Sequence, residues 1–454
     1  MEPINILHHG AVSGVTGSCH QYVSESTNLL IDCGLFQGSE AAQIDLANFP
    51  FDVSRLNAVV LTHGHIDHIG RIPWLIAAGF RGPIICTKPT AKLLPIILRD
   101  ALSFHIPGND TLMNSVMARL ERQIIGYDYN TWFKPDNTST GCTRLRLRPA
   151  GHILGSAYIE IEENGHRTVF SGDLGSPGAV FVEPPASPER ADTLIIETTY
   201  GDRLHTQRKE REQLLAKLIN RALSDNGTLL IPAFSLGRTQ ELLSIIENLL
   251  HNGKISWHST TALPVILDSP LAGELTSAYR SLANYWPEEL ITRRNSGRMP
   301  LAFDNLITVE GHSEHKKLVK RLAQTEQPAI VIAASGMCQG GRIMNYLEAL
   351  LPLKTTEVLF VGYQAKGTLG SELQNSKPGD TVRVNDQQIE VNAQTWSISG
   401  FSAHADQADL LAFIEGIKPE PAEIRLVHGD EQAKRTFAGL IKKALPRVKV
   451  VVPG

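Results

Sequence analysis

A histidine-rich loop at residues 62–68 constrains this chain more than any other feature. The loop reads THGHIDH and follows the apolar run NAVVL, a pattern typical of a buried strand that ends in a polar loop. Imidazole nitrogen and carboxylate oxygen are ligands that zinc prefers, and residues two apart in an extended loop can point the same way. The spacing predicts that His63 and His65 coordinate one metal ion, whereas Asp67 and His68 are directed at a second. The alternative is a chance cluster in a polar loop.

Further histidines and aspartates follow other strand-like runs and are candidates to complete such a site. A single residue of this kind at a strand end is more often a hydrogen-bonded structural residue than a ligand. Their order along the chain and their local context are what make them candidates here. They are Asp32 in NLLIDCGLF, His152 in AGHILGSA, Asp173 in FSGDLGS, His404 in SGFSAHAD and His428 in RLVHGDE.

The composition excludes several classes of protein. The chain has 454 residues, of which 42% are hydrophobic and 20% charged, so a disordered or fibrous chain is excluded. A formal net charge of -4 argues against a generally basic nucleic-acid binder but leaves room for a local basic groove. No apolar run reaches the length that spans a bilayer, and the N-terminus does not resemble a signal peptide. Five cysteines without a CxxC pair indicate the reducing cytoplasm and predict no disulfide framework.

The pattern of apolar residues changes about midway along the chain. The first 200 residues alternate between strand-like runs, a helical stretch at about 70–125, and strand-like runs again. From about residue 205 strongly periodic helices alternate with short apolar strands, which predicts a second α/β layer with a parallel sheet.

Taken in order, these motifs resemble the metallo-β-lactamase superfamily, and specifically its β-CASP branch of RNA and DNA nucleases. The segments ETTYGDR, PAFSLGRTQELL, LDSPLA, SGMCQGGR and GYQAKGTLG carry the resemblance further, so that it covers essentially the whole chain. The similarity is strongest to bacterial and archaeal relatives of the nuclease subunit of the mRNA cleavage and polyadenylation machinery. It implies an α/β fold, an αββα metallo-β-lactamase sandwich with an inserted α/β β-CASP cap domain. The implied divisions are a first metallo-β-lactamase part at 1–202, the β-CASP insertion at 203–365, and the C-terminal metallo-β-lactamase part at 366–454.

The resemblance also implies a ligand set for two Zn²⁺ ions per chain. Asp173 would bridge the two ions, and Asp32 would hydrogen-bond within the loop and orient ligands. One ion would be held by His63, His65, His152 and Asp173, and the other by Asp67, His68, Asp173 and His428.

The chemistry expected of such a site is phosphodiester hydrolysis. Two zinc ions can share a hydroxide that attacks phosphorus, because metal binding lowers the pKa of water. The departing alkoxide needs a proton, for which His404 is the candidate general acid. Glu197 is expected to pair with His404 and raise its pKa. The alternative for Glu197 is a turn cap near Thr198.

Residues in the inserted segments are candidates for contact with substrate. Basic side chains and turn amides can hold phosphate, although tight turns explain such glycines equally well. SGMCQGGR lacks the GK[ST] ending of a P-loop, so no nucleotide cofactor is expected. The candidates are Arg238, Ser335, Gly336, Gly340, Gly341, Arg342, Lys366 and Ser402.

The sequence thus predicts a zinc-dependent ribonuclease of single-stranded RNA, an endonuclease with 5′→3′ exonuclease activity in addition. A homodimer is a further expectation from the family. Two alternatives stay open: hydrolysis of DNA, a thioester or a lactone on the same fold, and a non-catalytic subunit of an RNA-processing assembly.

Overall fold

A computed structural model describes most of the chain, and the chain divides into two compact units. The described residues are 4–135, 143–206, 208–257, 262–325, 327–365 and 367–454. Unit 1 comprises Met1–Leu204 and Ala403–Gly454, and unit 2 comprises His205–Ser402. Unit 2 is therefore an insertion into unit 1 along the chain.

The described residues form 21 strands and 13 α-helices. The strands are β1 (Asn5–Gly10), β2 (Cys19–Val23), β3 (Asn28–Ile31), β4 (Ala58–Val60), β5 (Ile84–Thr87), β6 (Ile124–Tyr127), β7 (Trp132–Phe133), β8 (Arg144–Pro149), β9 (Ala157–Glu163), β10 (His166–Phe170), β11 (Thr193–Glu197), β12 (Thr228–Pro232), β13 (Val265–Asp268), β14 (Leu306–Thr308), β15 (Ala329–Ala333), β16 (Glu357–Phe360), β17 (Asp380–Val384), β18 (Gln387–Val391), β19 (Gln394–Ser397), β20 (Glu423–Val427) and β21 (Lys449–Val451). The helices are α1 (Ile66–Ile69), α2 (Ile72–Ala77), α3 (Lys88–His105), α4 (Asp110–Gln123), α5 (Arg211–Ser224), α6 (Arg238–His251), α7 (Pro270–Ser281), α8 (Glu288–Asn295), α9 (His312–Thr325), α10 (Ile343–Leu350), α11 (Leu369–Asn375), α12 (Gln407–Glu415) and α13 (Glu431–Ala444).

Two sheets pack face to face in unit 1. One sheet has the order β1-β2-β3-β4-β5-β6, and the other has the order β21-β20-β11-β10-β9-β8-β7. Buried side chains of both sheets, such as Leu29 and Ile31 from the first and Ile159 and Phe170 from the second, share one core. The other face of the second sheet packs on α12 and α13, through residues such as Phe437. With helices α2 to α4 beside the first sheet, unit 1 is the predicted αββα sandwich.

Unit 2 is an all-parallel sheet with helices around it. The strand order is β14-β13-β15-β12-β16-β19, and every pairing in it is parallel. Helix α5 shows why the periodic segments fold as they do, because it buries Leu215, Leu218, Ile219 and Ala222, which recur at helical spacing. The predicted parallel α/β layer is therefore present.

The structure differs from the predicted division at the second boundary. The sequence predicts a return to the first domain at residue 366, whereas the chain returns to unit 1 at Ala403. The reason is that β19 pairs with β16 and extends the sheet of unit 2, while β17 and β18 form a hairpin whose buried valines join the same core.

Within the described residues, every helix is too short or too polar to cross a membrane.

Candidate metal centre

Most of the predicted site residues stand where strands of unit 1 end. A short stretch of loop after a strand fixes the backbone yet leaves the side chain free to turn, which is where ligands commonly lie. Asp32 follows β3, His63 follows β4, His152 follows β8, Asp173 follows β10, Glu197 ends β11 and His428 follows β20. The two sheets thus bring together residues that lie nearly 400 positions apart in the chain.

The first group of donor atoms comprises His63, His65, His152 and Asp173, whose ligand atoms all lie within 4.8 Å of one another. His65 Nδ1 lies 3.0 Å from His63 Nε2 and 3.1 Å from His152 Nε2. Asp173 Oδ2 lies 3.5 Å from His63 Nε2 and 3.6 Å from His152 Nε2. Four ligands at zinc bond lengths in a tetrahedron are separated by about 3.3 Å, so this spacing suits one such ion.

The second group comprises Asp67, His68 and His428, with the other oxygen of Asp173 beside them. His68 Nε2 lies 3.3 Å from His428 Nε2 and 3.3 Å from Asp173 Oδ1. Asp67 Oδ2 lies 3.4 Å from His428 Nε2. Because Oδ2 of Asp173 faces the first group and Oδ1 faces the second, this carboxylate has the geometry of a bridge.

Asp32 orients His68 within this arrangement. Its carboxylate is fully buried and accepts from the Thr62 amide at 2.8 Å, the Thr62 hydroxyl at 2.8 Å and His68 Nδ1 at 2.7 Å. Since Nδ1 of His68 is thereby the protonated nitrogen, its Nε2 lone pair faces the donor group. Asp32 itself has a φ of 60°, a left-handed conformation that is rare outside glycine and is common at functional sites.

The backbone of His428 is held from two sides. Its amide donates to Ala11 O at 2.8 Å, and its carbonyl accepts from the Thr198 amide at 3.0 Å. It too has a positive φ, 48°. The Thr199 hydroxyl lies 3.1 Å from His428 Nδ1. Sequence reasoning missed Thr62 and Thr199 as supporting residues, although both lie within two positions of a predicted site residue.

Glu197 and His404 form a pair beside the first group. His404 Nδ1 lies 3.2 Å from both carboxylate oxygens of Glu197, which is fully buried and also accepts the Leu174 amide at 2.7 Å. The backbone of His404 bridges to Gly175, and the Ala405 amide donates to Leu174 O at 2.7 Å. His404 Nδ1 also lies 3.9 Å from Asp173 Oδ2.

The electrostatics of the site differ between its histidines. Burial, reinforced by neighbouring histidines, holds the pKa of His63 and His152 well below the usual value and lowers that of His65 to about 4. Neutral imidazole is the form that binds metal. Burial also opposes protonation of His68, but Asp173, Asp32 and Asp67 outweigh it and raise its pKa. For His404 the Glu197 and Asp173 carboxylates outweigh burial and raise the pKa to about 9.

A buried carboxylate oxygen of Asp173 is a second, independent indication that these donor atoms form a metal centre. Oδ1 of Asp173 is buried and, when His68 is neutral with Nε2 unprotonated, has no hydrogen-bond donor among the described residues. A buried acceptor without a partner is costly, and a cation between it and the imidazole nitrogens would satisfy it.

The predicted substrate-contacting residues lie in unit 2 and are mostly engaged there. Arg238 is buried and pairs with Glu241, and Arg342 donates to Asp268 Oδ1 at 2.7 Å and to the carbonyls of Val309 and Glu310. Both arginines have internal partners in this structure, and their contact with phosphate stays a prediction.

The glycine-rich loop at residues 335–341, after β15, is held by hydrogen bonds within the loop itself. The Ser335 amide donates to Gly340 O at 3.2 Å, the Gln339 amide donates to Ser335 Oγ at 3.2 Å, and Gly336 is buried. Gly341 has a φ of 76°, as a tight turn requires. Ser402 ends unit 2 at a short turn, where its amide donates to Ser399 O, and Lys366 lies outside the described residues. Phosphate contact by Ser335, Gly336, Gly340, Gly341 and Ser402 stays a prediction.

Comparison with known proteins agrees with this geometry. Residues 13–230 match the metallo-beta-lactamase superfamily, residues 239–373 match the Beta-Casp domain, and residues 388–453 match the Zn-dependent metallo-hydrolase RNA specificity domain. Ribonuclease TTHA0252 of Thermus thermophilus is 35% identical over 94% of this chain and 94% of its own length. Transcription termination factor FttA of Methanocaldococcus jannaschii is 31% identical over 97% of this chain and 69% of its own.

A solved structure shares the fold. A protein of unknown function from Enterococcus faecalis superposes with a TM-score of 0.53 at 14% identity, over 99% of this chain and 98% of its own. The fold and the site define a metallo-hydrolase with an inserted α/β domain. The chain belongs to the β-CASP branch of the metallo-β-lactamase superfamily, as the sequence predicts.

Proposed function

We propose that this protein is a zinc-dependent ribonuclease that hydrolyses phosphodiester bonds of single-stranded RNA. The observation that carries the proposal is the shared carboxylate of Asp173, whose two oxygens face two separate groups of donor atoms. The name of the Thermus thermophilus relative, a ribonuclease, supports RNA as the substrate.

The chain's own residues would hold two Zn²⁺ ions, one in each donor group. Divalent metal at such a centre supplies a nucleophile from water at neutral pH and offsets negative charge at phosphorus. Asp173 holds the two groups in one geometry, and Asp32 keeps the His68 Nε2 lone pair directed at the second. Asp67 adds negative charge beside His68 and His428.

His404 and Glu197 would deliver the proton that the departing alkoxide requires. Glu197 accepts from Nδ1, so the imidazolium form is favoured and proton transfer to substrate would use Nε2. Burial of Glu197 and its bond to the Leu174 amide fix the carboxylate, which in turn fixes the ring.

The proposal includes endonucleolytic cleavage, 5′→3′ exonuclease activity in addition, and independence of any nucleotide cofactor. The cytoplasm is the proposed location, as the small and odd number of cysteines indicates. A homodimer is the proposed assembly, which light scattering would test against the chain mass of 49.7 kDa.

A substrate panel tests the proposal. Purified protein is incubated without nucleotide with 5′-labelled single-stranded RNA, single-stranded DNA and a thioester, each with and without chelator. Chelator-sensitive cleavage of RNA at internal positions is expected, and mononucleotides released from the 5′ end would report the exonuclease mode. Preferential cleavage of DNA or the thioester would contradict the proposal.

Two variants test the site itself. Asp67→Ala and His404→Ala should each abolish most RNA cleavage, because one removes a metal ligand and the other the proton donor. RNA cleavage at the wild-type rate by both variants would show that another site is responsible.

A further inference from the structure

Three loops of unit 2 meet at one edge of its sheet. Strands β15, β12 and β16 are adjacent and parallel, so the loops that follow them lie at the same carboxyl-terminal edge. Such an edge is where open parallel sheets bind ligands. Phe234 lies on the loop after β12, Gly336 on the loop after β15, and Tyr363 on the loop after β16.

Two aromatic rings at this edge are exposed. Phe234 is 43% exposed and Tyr363 is 52% exposed. Among the large hydrophobic side chains that the structure describes, the only other exposed aromatic is Phe104, in α3 of unit 1. By contrast Tyr279 and Phe360 of unit 2 are buried. Packing therefore does not account for these two rings.

The loops that carry the rings are tied to one another. The Phe234 ring lies against Gly336, where an added Cβ would stand 3.1 Å from Phe234 Cδ2. Buried Gln364, next to Tyr363, donates from Nε2 to Gly336 O at 2.8 Å. The Thr239 hydroxyl donates to Phe234 O at 2.8 Å. The rings are thus presented on a backbone that is already ordered, which lowers the entropic cost of binding.

We propose that Phe234 and Tyr363 form a platform on which bases of single-stranded RNA stack. This inference rests on the proposed ribonuclease function and adds how the substrate is recognised. Aromatic faces bind unpaired bases of any sequence, whereas bases in a duplex are unavailable to them. Arg238 and Arg342 have internal ion-pair partners, Glu241 and Asp268. The platform therefore selects single strands and is tolerant of sequence.

A binding measurement tests the platform without requiring cleavage. Single-stranded RNA that carries a fluorescent label and internal 2-aminopurine is titrated with full-length protein in chelator, and anisotropy and 2-aminopurine quenching are followed. Phe234→Ala and Tyr363→Ala should each weaken binding about 5- to 100-fold and reduce the quenching. Phe234→Leu keeps apolar volume but removes the aromatic face. It should show the same loss of binding and of quenching, and it keeps the test valid if the alanine variant folds poorly.

Matched controls separate stacking from general surface effects. Phe104→Ala removes an exposed ring in unit 1 and should leave RNA affinity unchanged. Tyr363→Phe keeps the ring and should retain wild-type affinity. RNA with abasic positions should bind the wild-type protein as weakly as intact RNA binds the alanine variants.

Steady-state kinetics give a second readout. For both alanine variants the ratio of kcat/KM on RNA to kcat/KM on bis(p-nitrophenyl) phosphate should fall, because the small substrate has no base to stack. Wild-type RNA affinity in Phe234→Leu and Tyr363→Ala, or undetectable RNA binding by the wild-type protein, would overturn the platform. A wild-type protein that binds RNA through these rings but does not cleave it would instead contradict the proposed function.

Discussion

Each unit contains a buried aspartate bonded to a buried histidine, and the two pairs have opposite surroundings. In unit 1 the Asp32 Oδ2 to His68 Nδ1 distance is 2.7 Å, and in unit 2 the Asp268 Oδ2 to His315 Nδ1 distance is also 2.7 Å. The far nitrogen of His68 faces His428 Nε2 and Asp173 Oδ1, whereas the far nitrogen of His315 accepts from the Asn345 amide at 2.8 Å.

The other hydrogen bonds of Asp268 also distinguish the pair in unit 2 from the pair in unit 1. Asp268 also accepts from Tyr346 at 2.5 Å and from Arg342 at 2.7 Å, so negative charge in unit 2 is balanced by protein groups. In unit 1 carboxylate oxygens and imidazole nitrogens converge with few donors between them. An aspartate-histidine pair is therefore insufficient to define a metal centre, and what the second ring nitrogen faces decides the difference.

Removal of the shared carboxylate should have the largest effect. Asp173→Asn is expected to lower RNA cleavage by roughly 10³-fold or more, because several kcal/mol of charge stabilisation depend on it. The protein should also retain fewer than two zinc ions per chain by elemental analysis. Asp386→Asn, the same change at a side chain that is 99% exposed, is the control. Wild-type zinc content and activity in Asp173→Asn would contradict the assignment of Asp173 to a metal centre in unit 1.

Loss of the proton donor should be nearly as severe, but only for a poor leaving group. His404→Ala is expected to lower cleavage of RNA by about 10²- to 10³-fold, the usual contribution of a general acid. Cleavage of bis(p-nitrophenyl) phosphate should fall far less, because p-nitrophenolate departs without a proton. Equal losses on both substrates would assign His404 to the structure of the centre instead of to proton transfer.

The two aspartate-histidine pairs can be compared directly. Asp32→Asn should weaken zinc affinity or activity about 10- to 100-fold, since it disturbs the orientation of His68. Asp268→Asn should leave zinc content unchanged and lower the free energy of unfolding instead, because Arg342 loses its charged partner. Zinc titration and thermal unfolding of both variants compare the two pairs. A loss of zinc from Asp268→Asn would contradict the claim that only the Asp32–His68 pair supports a metal centre.

The effect of metal removal on thermal stability should be the smallest of these changes. Zinc at ten times its dissociation constant stabilises the protein by about 1.4 kcal/mol per ion, so chelator should lower the Tm. Asp173→Asn should lose most of this response, whereas Asp386→Asn should keep it. A Tm that does not respond to chelator in the wild-type protein would contradict metal binding at the centre.

The sequence predicts the fold because local patterns agree with it. Strand-like runs that end in His63, Asp173 and His428 bring those residues to one place once the strands align, and the periodic helices after residue 205 indicate the inserted layer. The family resemblance supplies the order in which these motifs are combined.

What the sequence does not predict depends on partners distant along the chain. The bond of Arg342 to Asp268 spans 74 positions, and no local pattern shows that this guanidinium is engaged. The bond of Thr199 to His428 spans 229 positions. The boundary at Ala403 likewise depends on the pairing of β19 with β16, which joins residues 37 positions apart along the chain.

Zinc titration of the metal-depleted protein, followed by cleavage of labelled single-stranded RNA, tests the central claim most directly. We expect no cleavage without metal and a rise in rate that saturates at two zinc ions per chain. Cleavage by the metal-free protein, or a zinc-loaded protein that leaves single-stranded RNA intact, would contradict the claim that this centre is a two-zinc ribonuclease site.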